Sequence, residues 1–164
     1  MDWKSKLTQD EKLKAEKIEK NLVEYIVEFE SRSISIEDFK WLFTVLINTK
    51  NVWSLQGFYG RTAVDLIQSD ILDIRFDTQK YNDTISKLSS IQKLLIGLDL
   101  EASITKWQNN ELSEVEMVYL INCLYRNNKK IWCNDNKAMG GIVNGLRHEY
   151  FYVVPSTKDQ GGLS

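Results

Sequence analysis

Ile34-Ser35-Ile36-Glu37-Asp38-Phe39-Lys40-Trp41-Leu42-Phe43-Thr44-Val45-Leu46-Ile47 is the stretch that decides the fold. Ser35 offers a hydroxyl at an N-cap and Asp38 a carboxylate three residues on, a capping box that satisfies amides left open at a helix start. Ile34 before the cap and Phe39 at the fourth helical position form a hydrophobic staple. Phe39, Leu42, Phe43, Leu46 and Ile47 then recur at helical spacing, with Trp41 on the flank. The helix is predicted to end at Asn48-Thr49-Lys50-Asn51.

The same design returns downstream. Leu112-Ser113 with Glu116-Met117 repeats the staple and the box, and Tyr119-Leu120-Ile121 repeats Trp41-Leu42-Phe43. Leu124 matches Leu46. Upstream, Ile26 and Phe29 match Ile104 and Trp107. With one extra residue in the second connection, Trp132 falls opposite Trp53, and Ile142, Val143 and Leu146 opposite Ala63, Val64 and Ile67. Segment 104–146 therefore reads as a second copy of 26–67.

Further out, Thr8 and Glu11 make another capping box. Leu13, Ile18, Leu22, Val23, Ile26 and Phe29 follow as a stripe, which predicts one helix over 9–30. Ser54 is read as the cap of a third helix carrying Leu55, Tyr59, Ala63, Leu66 and Ile67 on its buried face. Residues 70–77 read as a connection. Tyr81, Ile85, Leu88, Ile91, Leu94 and Leu95 predict a fourth helix, and 99–109 a short one. The single proline, Pro155, leaves the preceding chain without an obligatory helix breaker. The prediction is an all-α bundle of about six to seven helices with essentially no sheet. Its expected organisation is a first repeat with the N-terminal helix at 1–76, a second repeat at 77–152 and a disordered tail at 153–164, packed as one globular unit.

Composition narrows the function classes. Hydrophobic residues make up 43% and charged residues 27% of the 164, which suits a folded core. The 21 basic and 23 acidic residues leave a net charge of −2, against the basic excess that broad nucleic-acid binding needs. Met1-Asp2-Trp3-Lys4 begins no apolar run, so neither a signal peptide nor a membrane helix is predicted. Cys123 and Cys133 then read as reduced cytosolic thiols. His148 is the lone histidine, so no metal, cofactor or catalytic set is predicted. Cys133 reads as a small residue at a helix start and Cys123 as core.

Val52-Trp53-Ser54-Leu55-Gln56-Gly57-Phe58-Tyr59-Gly60-Arg61-Thr62-Ala63 resembles the Trp-x-Leu-Gln-Gly-x-Tyr-Gly-Arg-Thr-Ala signature of small, uncharacterised bacteriophage proteins. The likeness covers about residues 22–72. The second copy departs from it, with Asn134-Asp135-Asn136-Lys137 in place of Leu-Gln-Gly-Phe. The resemblance implies a phage origin and a place in the infected host's cytoplasm, and supplies no activity. Trp53, Gln56, Gly57, Tyr59, Gly60, Arg61 and Trp132 are the candidate interaction residues. Two glycines in one helix are costly, about 1 kcal/mol each, and predict close packing against Trp53 or Trp41. On that reading Gly60→Ala overpacks by about 1–3 kcal/mol, whereas on an exposed partner face it leaves melting unchanged or raises it. Arg61 is read as a clamp on a carboxylate or helix C-terminus, with partner or phosphate contact as other readings. Gln56 is read as an exposed contact or a satisfied polar residue at the loop–helix junction.

The expected function is non-enzymatic binding of a host or phage protein, in host takeover, counter-defence or lysis control. Trp, Tyr and Arg, which dominate interface hot spots, support that expectation. The alternative is a helix-turn-helix-like nucleic-acid-binding regulator, with Arg126, Lys129 and Lys130 as a small basic loop.

Overall fold

A computed structural model describes residues 3–127 and 136–157. Among those residues 71% are helical, in nine α-helices and two short 3₁₀ turns, and two short strands pair into a small sheet. Two of the predicted helices are each broken in two. The helix expected over 9–30 divides at Asn21 (φ −122°, ψ 36°) into α1 (Gln9–Lys20) and α2 (Leu22–Glu30). The fourth divides into α5 (Gln79–Ile85) and α6 (Ser90–Leu98). There Ser89 and Gln92 build a capping box absent from the sequence reading. The others are α3 (Ile36–Asn48), α4 (Gly57–Gln68), α7 (Leu100–Gln108), α8 (Glu114–Asn127) and α9 (Asn136–Arg147).

The sheet corrects two expectations. Leu72–Arg75 (β1), read as connection, pairs with Tyr152–Pro155 (β2), whose upstream end borders the expected tail. Leu72 and Ile74 alternate inward, and Tyr152, Val153 and Val154 are buried, as aromatic and β-branched residues in a strand favour. The disordered-tail expectation therefore fails for 153–155, and 158–164 lie outside the described residues.

The chain forms two compact units. One runs to Ile74 and takes the chain back from Tyr152; the other spans Arg75–Phe151. In the first, α3 is the central element, with Trp41 through Ile47 all buried. It packs on α1, α2 and β2. The Asn48 amide fixes β2, donating to the Val153 carbonyl at 2.8 Å and accepting the Val153 N–H at 2.9 Å. Phe29, Phe39, Phe43 and Tyr59 cluster with ring centroids 5.2–6.1 Å apart. Such pairs contribute about 0.5–1.5 kcal/mol each beyond area burial. The break at Asn21 changes the stripe predicted upstream: Ala15, Ile18 and Tyr25 are buried, while Leu13 and Val23 face solvent.

Ser35 caps α3 as predicted, accepting the Asp38 N–H at 3.1 Å. The reciprocal half of the box is replaced. The Asp38 carboxylate instead meets Lys14 Nζ at 3.2 Å, tying α3 to α1. Thr8/Glu11 and Ser113/Glu116 do close both bonds of their boxes.

In the second unit α8 is central, burying Val118, Leu120, Ile121 and Leu124 against α5, α6, α7 and α9. Trp107 and Phe151 press on α9 at Gly141 and Gly145. Thr78 caps α5 and donates to the Tyr150 carbonyl at 2.7 Å. Burial agrees at several paired repeat positions: Leu42 and Leu120, Phe43 and Ile121, Leu46 and Leu124, Ala63 and Ile142, Ile67 and Leu146 are all buried.

Candidate functional site

The motif segment begins where Lys50 adopts a left-handed conformation (φ 68°) and turns the chain out of α3. Asn51–Ser54 then form a 3₁₀ turn that buries Val52 and half-buries Trp53. Leu55 and Gln56 are extended (ψ 177° and 150°), so α4 starts two residues later than the Ser54 cap predicts. Gln56 occupies the N-cap position, exposed and without a side-chain cap bond. Leu55 consequently leaves the buried stripe and stands 37% exposed. Gly57 is the first residue of α4 rather than an interior one.

Tyr59 belongs to the core of the first unit and not to its surface. Its side chain is buried, and its hydroxyl donates to Glu30 Oε1 at 2.6 Å. Burial, and then the Glu30 carboxylate, push its phenol well above the ordinary range. Gly60 does face Trp53, as expected, but without the expected tightness. A methyl there would lie 3.7 Å from Trp53 Cε3 and Cζ3, an ordinary van der Waals distance. At Gly57 the nearest atom is Arg61 Nη1, the end of a flexible side chain, at 3.1 Å.

Trp53, Gly57, Gly60 and Arg61 line one open groove of about 440 Å³, together with Val64 and Asp65. The indole ring forms an apolar wall, the two glycines leave backbone within reach, and Arg61 and Asp65 set opposite charges one helical turn apart. The clamp expected of Arg61 is absent: among the described residues it forms no ion pair, and its side chain is exposed. Val64 and Asp65 are not among the interaction residues the sequence points to. The available signal was spacing, since they lie four residues beyond Gly60 and Arg61 on the same helical face. Trp132 and Cys133 lie outside the described residues, as do Lys129 and Lys130.

Other features are less organised. An open depression of about 680 Å³ along α1, lined by Leu13, Glu16, Lys17, Glu19, Lys20 and Asn21, is a mixed charged face. Among the described residues no cluster of three or more His, Cys, Asp or Glu side chains is placed to hold a metal. Burial pushes the Cys123 thiol up, away from a reactive thiolate. No helix among the described residues is long and apolar enough to cross a membrane.

Residues 17–88 match the family described as a domain of unknown function, DUF7417. The match runs from the last turns of α1 through α5 and contains the whole groove. No curated protein and no solved structure matches the chain.

Proposed function

We propose that the protein is a non-enzymatic binding module whose first unit grips a segment of a protein partner in the Trp53–Arg61 groove. The observation that carries this reading is the convergence of Trp53, Gly57, Gly60 and Arg61 on one open groove. An apolar side chain of the partner rests on the indole, and a carboxylate of the partner meets Arg61. Trp and Arg side by side are the residue types that concentrate binding energy at interfaces. The motif's resemblance to phage proteins supports a host or phage protein as the partner, in host takeover, counter-defence or lysis control. We read the second unit as a diverged copy of the same helix pair, on the shared caps and burial register.

The nucleic-acid reading has less behind it. α4, its would-be recognition helix, carries one basic residue, Arg61, with Asp65 one turn on. The test is affinity capture from infected and uninfected host lysate with wild type, Trp53→Ala and Arg61→Glu, followed by titration of the captured protein against each. A partner bound by wild type and lost at least tenfold in both variants is the expected result. A partner bound equally by all three overturns the groove. Salt-sensitive capture of nucleic acid in place of protein favours the regulator.

A further inference from the structure

The second unit carries an apolar face that its own core does not use. In α6, Ile91, Leu94, Leu95 and Leu98 are 69%, 64%, 61% and 76% exposed. At about 100° per residue the four fall within roughly 100° of arc, a continuous stripe at i, i+3, i+4 and i+7. The buried residue of this helix, Ile96, points roughly to the opposite side. α6 thus turns its broadest apolar face outward, while α8 holds it from behind.

We infer that this stripe pairs with the same stripe of a second copy of the chain, the two α6 helices running antiparallel about a two-fold axis between Leu94 and Leu95. The spacing is self-complementary. Reversing α6 about that midpoint brings Ile91 onto Leu98 and Leu94 onto Leu95, as an isologous contact requires. Charge follows the same symmetry. The chain enters α6 past Lys87 and leaves it toward Asp99 and Glu101, all three exposed. Antiparallel pairing sets the basic end of each copy beside the acidic end of the other. The area is adequate as well. The four residues present on the order of 500 Å², at the upper end for a lone monomer patch, and two copies bury up to about 1,000 Å², the floor for a specific interface. Such an interface is weak, so the dimer forms at micromolar concentrations or above.

The experiment is sedimentation equilibrium on the full chain over a broad concentration series. Wild type is expected to move from 19.1 kDa toward twice that mass as concentration rises. Leu94→Glu, and separately the milder Leu95→Gln, are expected to stay monomeric with unchanged circular dichroism. Lys87→Glu weakens association at least several-fold, and Lys87→Glu with Glu101→Lys restores it. A wild type that stays monomeric throughout overturns the inference. So does a dimer indifferent to both stripe variants. Failure of the charge swap to restore pairing overturns the antiparallel arrangement. None of these outcomes depends on the groove of the first unit.

Discussion

Gly145→Ala puts the packing of the second unit to a direct test. A methyl built on Gly145 would overlap the Phe151 ring, lying 2.6 Å from both Cε1 and Cε2. Cζ lies closer still, so ordinary contact needs the ring to retreat by about 1.5 Å, and a packed core gives way at a cost. The ring has little room, because Phe151 is buried and its centroid lies 4.9 Å from that of Phe76. Overpacking of this kind costs about 1–3 kcal/mol and occasionally more, while Ala for Gly inside a helix returns about 1 kcal/mol. An overlap this deep falls in the upper part of that range, so the net expectation is a loss of about 1–2 kcal/mol, which for a chain of this size lowers the melting temperature by roughly 2–8 °C. Gly140→Ala in the same helix is the control. Its methyl meets nothing within 4 Å among the described residues, so it should melt slightly higher than wild type. Trimming the ring in the double variant Gly145→Ala with Phe151→Leu should show favourable coupling. The measurement is calorimetry or thermal circular dichroism. A Gly145→Ala protein that melts at or above wild type would refute the close packing of α9 on Phe151.

Gly60→Ala should raise the melting temperature slightly, because its methyl meets Trp53 at an ordinary 3.7 Å and helix propensity improves; a clear drop on thermal denaturation would restore the tight-packing expectation. Tyr59→Phe removes the 2.6 Å bond to Glu30 and should cost about 1 kcal/mol in urea denaturation, with no loss counting against that bond. Burial raises the phenols of Tyr59, Tyr81 and Tyr150 above the ordinary 10.0, so the folded chain keeps protons that the unfolded chain releases. The half-buried Cys123 thiol acts the same way from its ordinary 9.0, so stability should fall as pH rises from about 9 through 10 and above, and chemical denaturation across that window checks the sign. Lys14 and Asp38, both partly exposed, should couple by only about 0.2–1 kcal/mol in a double-mutant cycle, less at high salt.

Caps and apolar register were legible in the sequence because both are local. Ser35 and Ser113 sit where the hydroxyl-plus-three spacing placed them, and α3 buries the stripe read from Leu42 to Ile47. The sheet was not legible, since four-residue strands leave little period to detect and their partners lie about 80 residues apart in the chain. Nor was the tie between Asn48 and Val153, because a side-chain amide bonding a distant strand has no sequence period at all. The break at Asn21 was missed because Leu22 and Val23 continued an apolar count that a change of backbone direction had ended.

The glycines show where pattern reading misleads most. The cost of glycine in a helix was the sound premise, and it directed attention to Gly57 and Gly60 because a motif surrounded them. Sterically the demanding positions are Gly141 and Gly145, where rings occupy the space a methyl would take. Gly57 and Gly60 tolerate a methyl, so packing alone does not account for them. They line the groove instead, beside Trp53 and Arg61. A glycine that the core does not require, placed on an open surface next to an indole and an exposed guanidinium, leaves its backbone open to the partner proposed above. The same logic separates the stripes of α3 and α6. Both are written in aliphatic residues at helical spacing, but Leu42, Leu46 and Ile47 have the rest of the first unit around them. Ile91, Leu94, Leu95 and Leu98 have solvent, and that exposed stripe is the surface the proposed second copy covers.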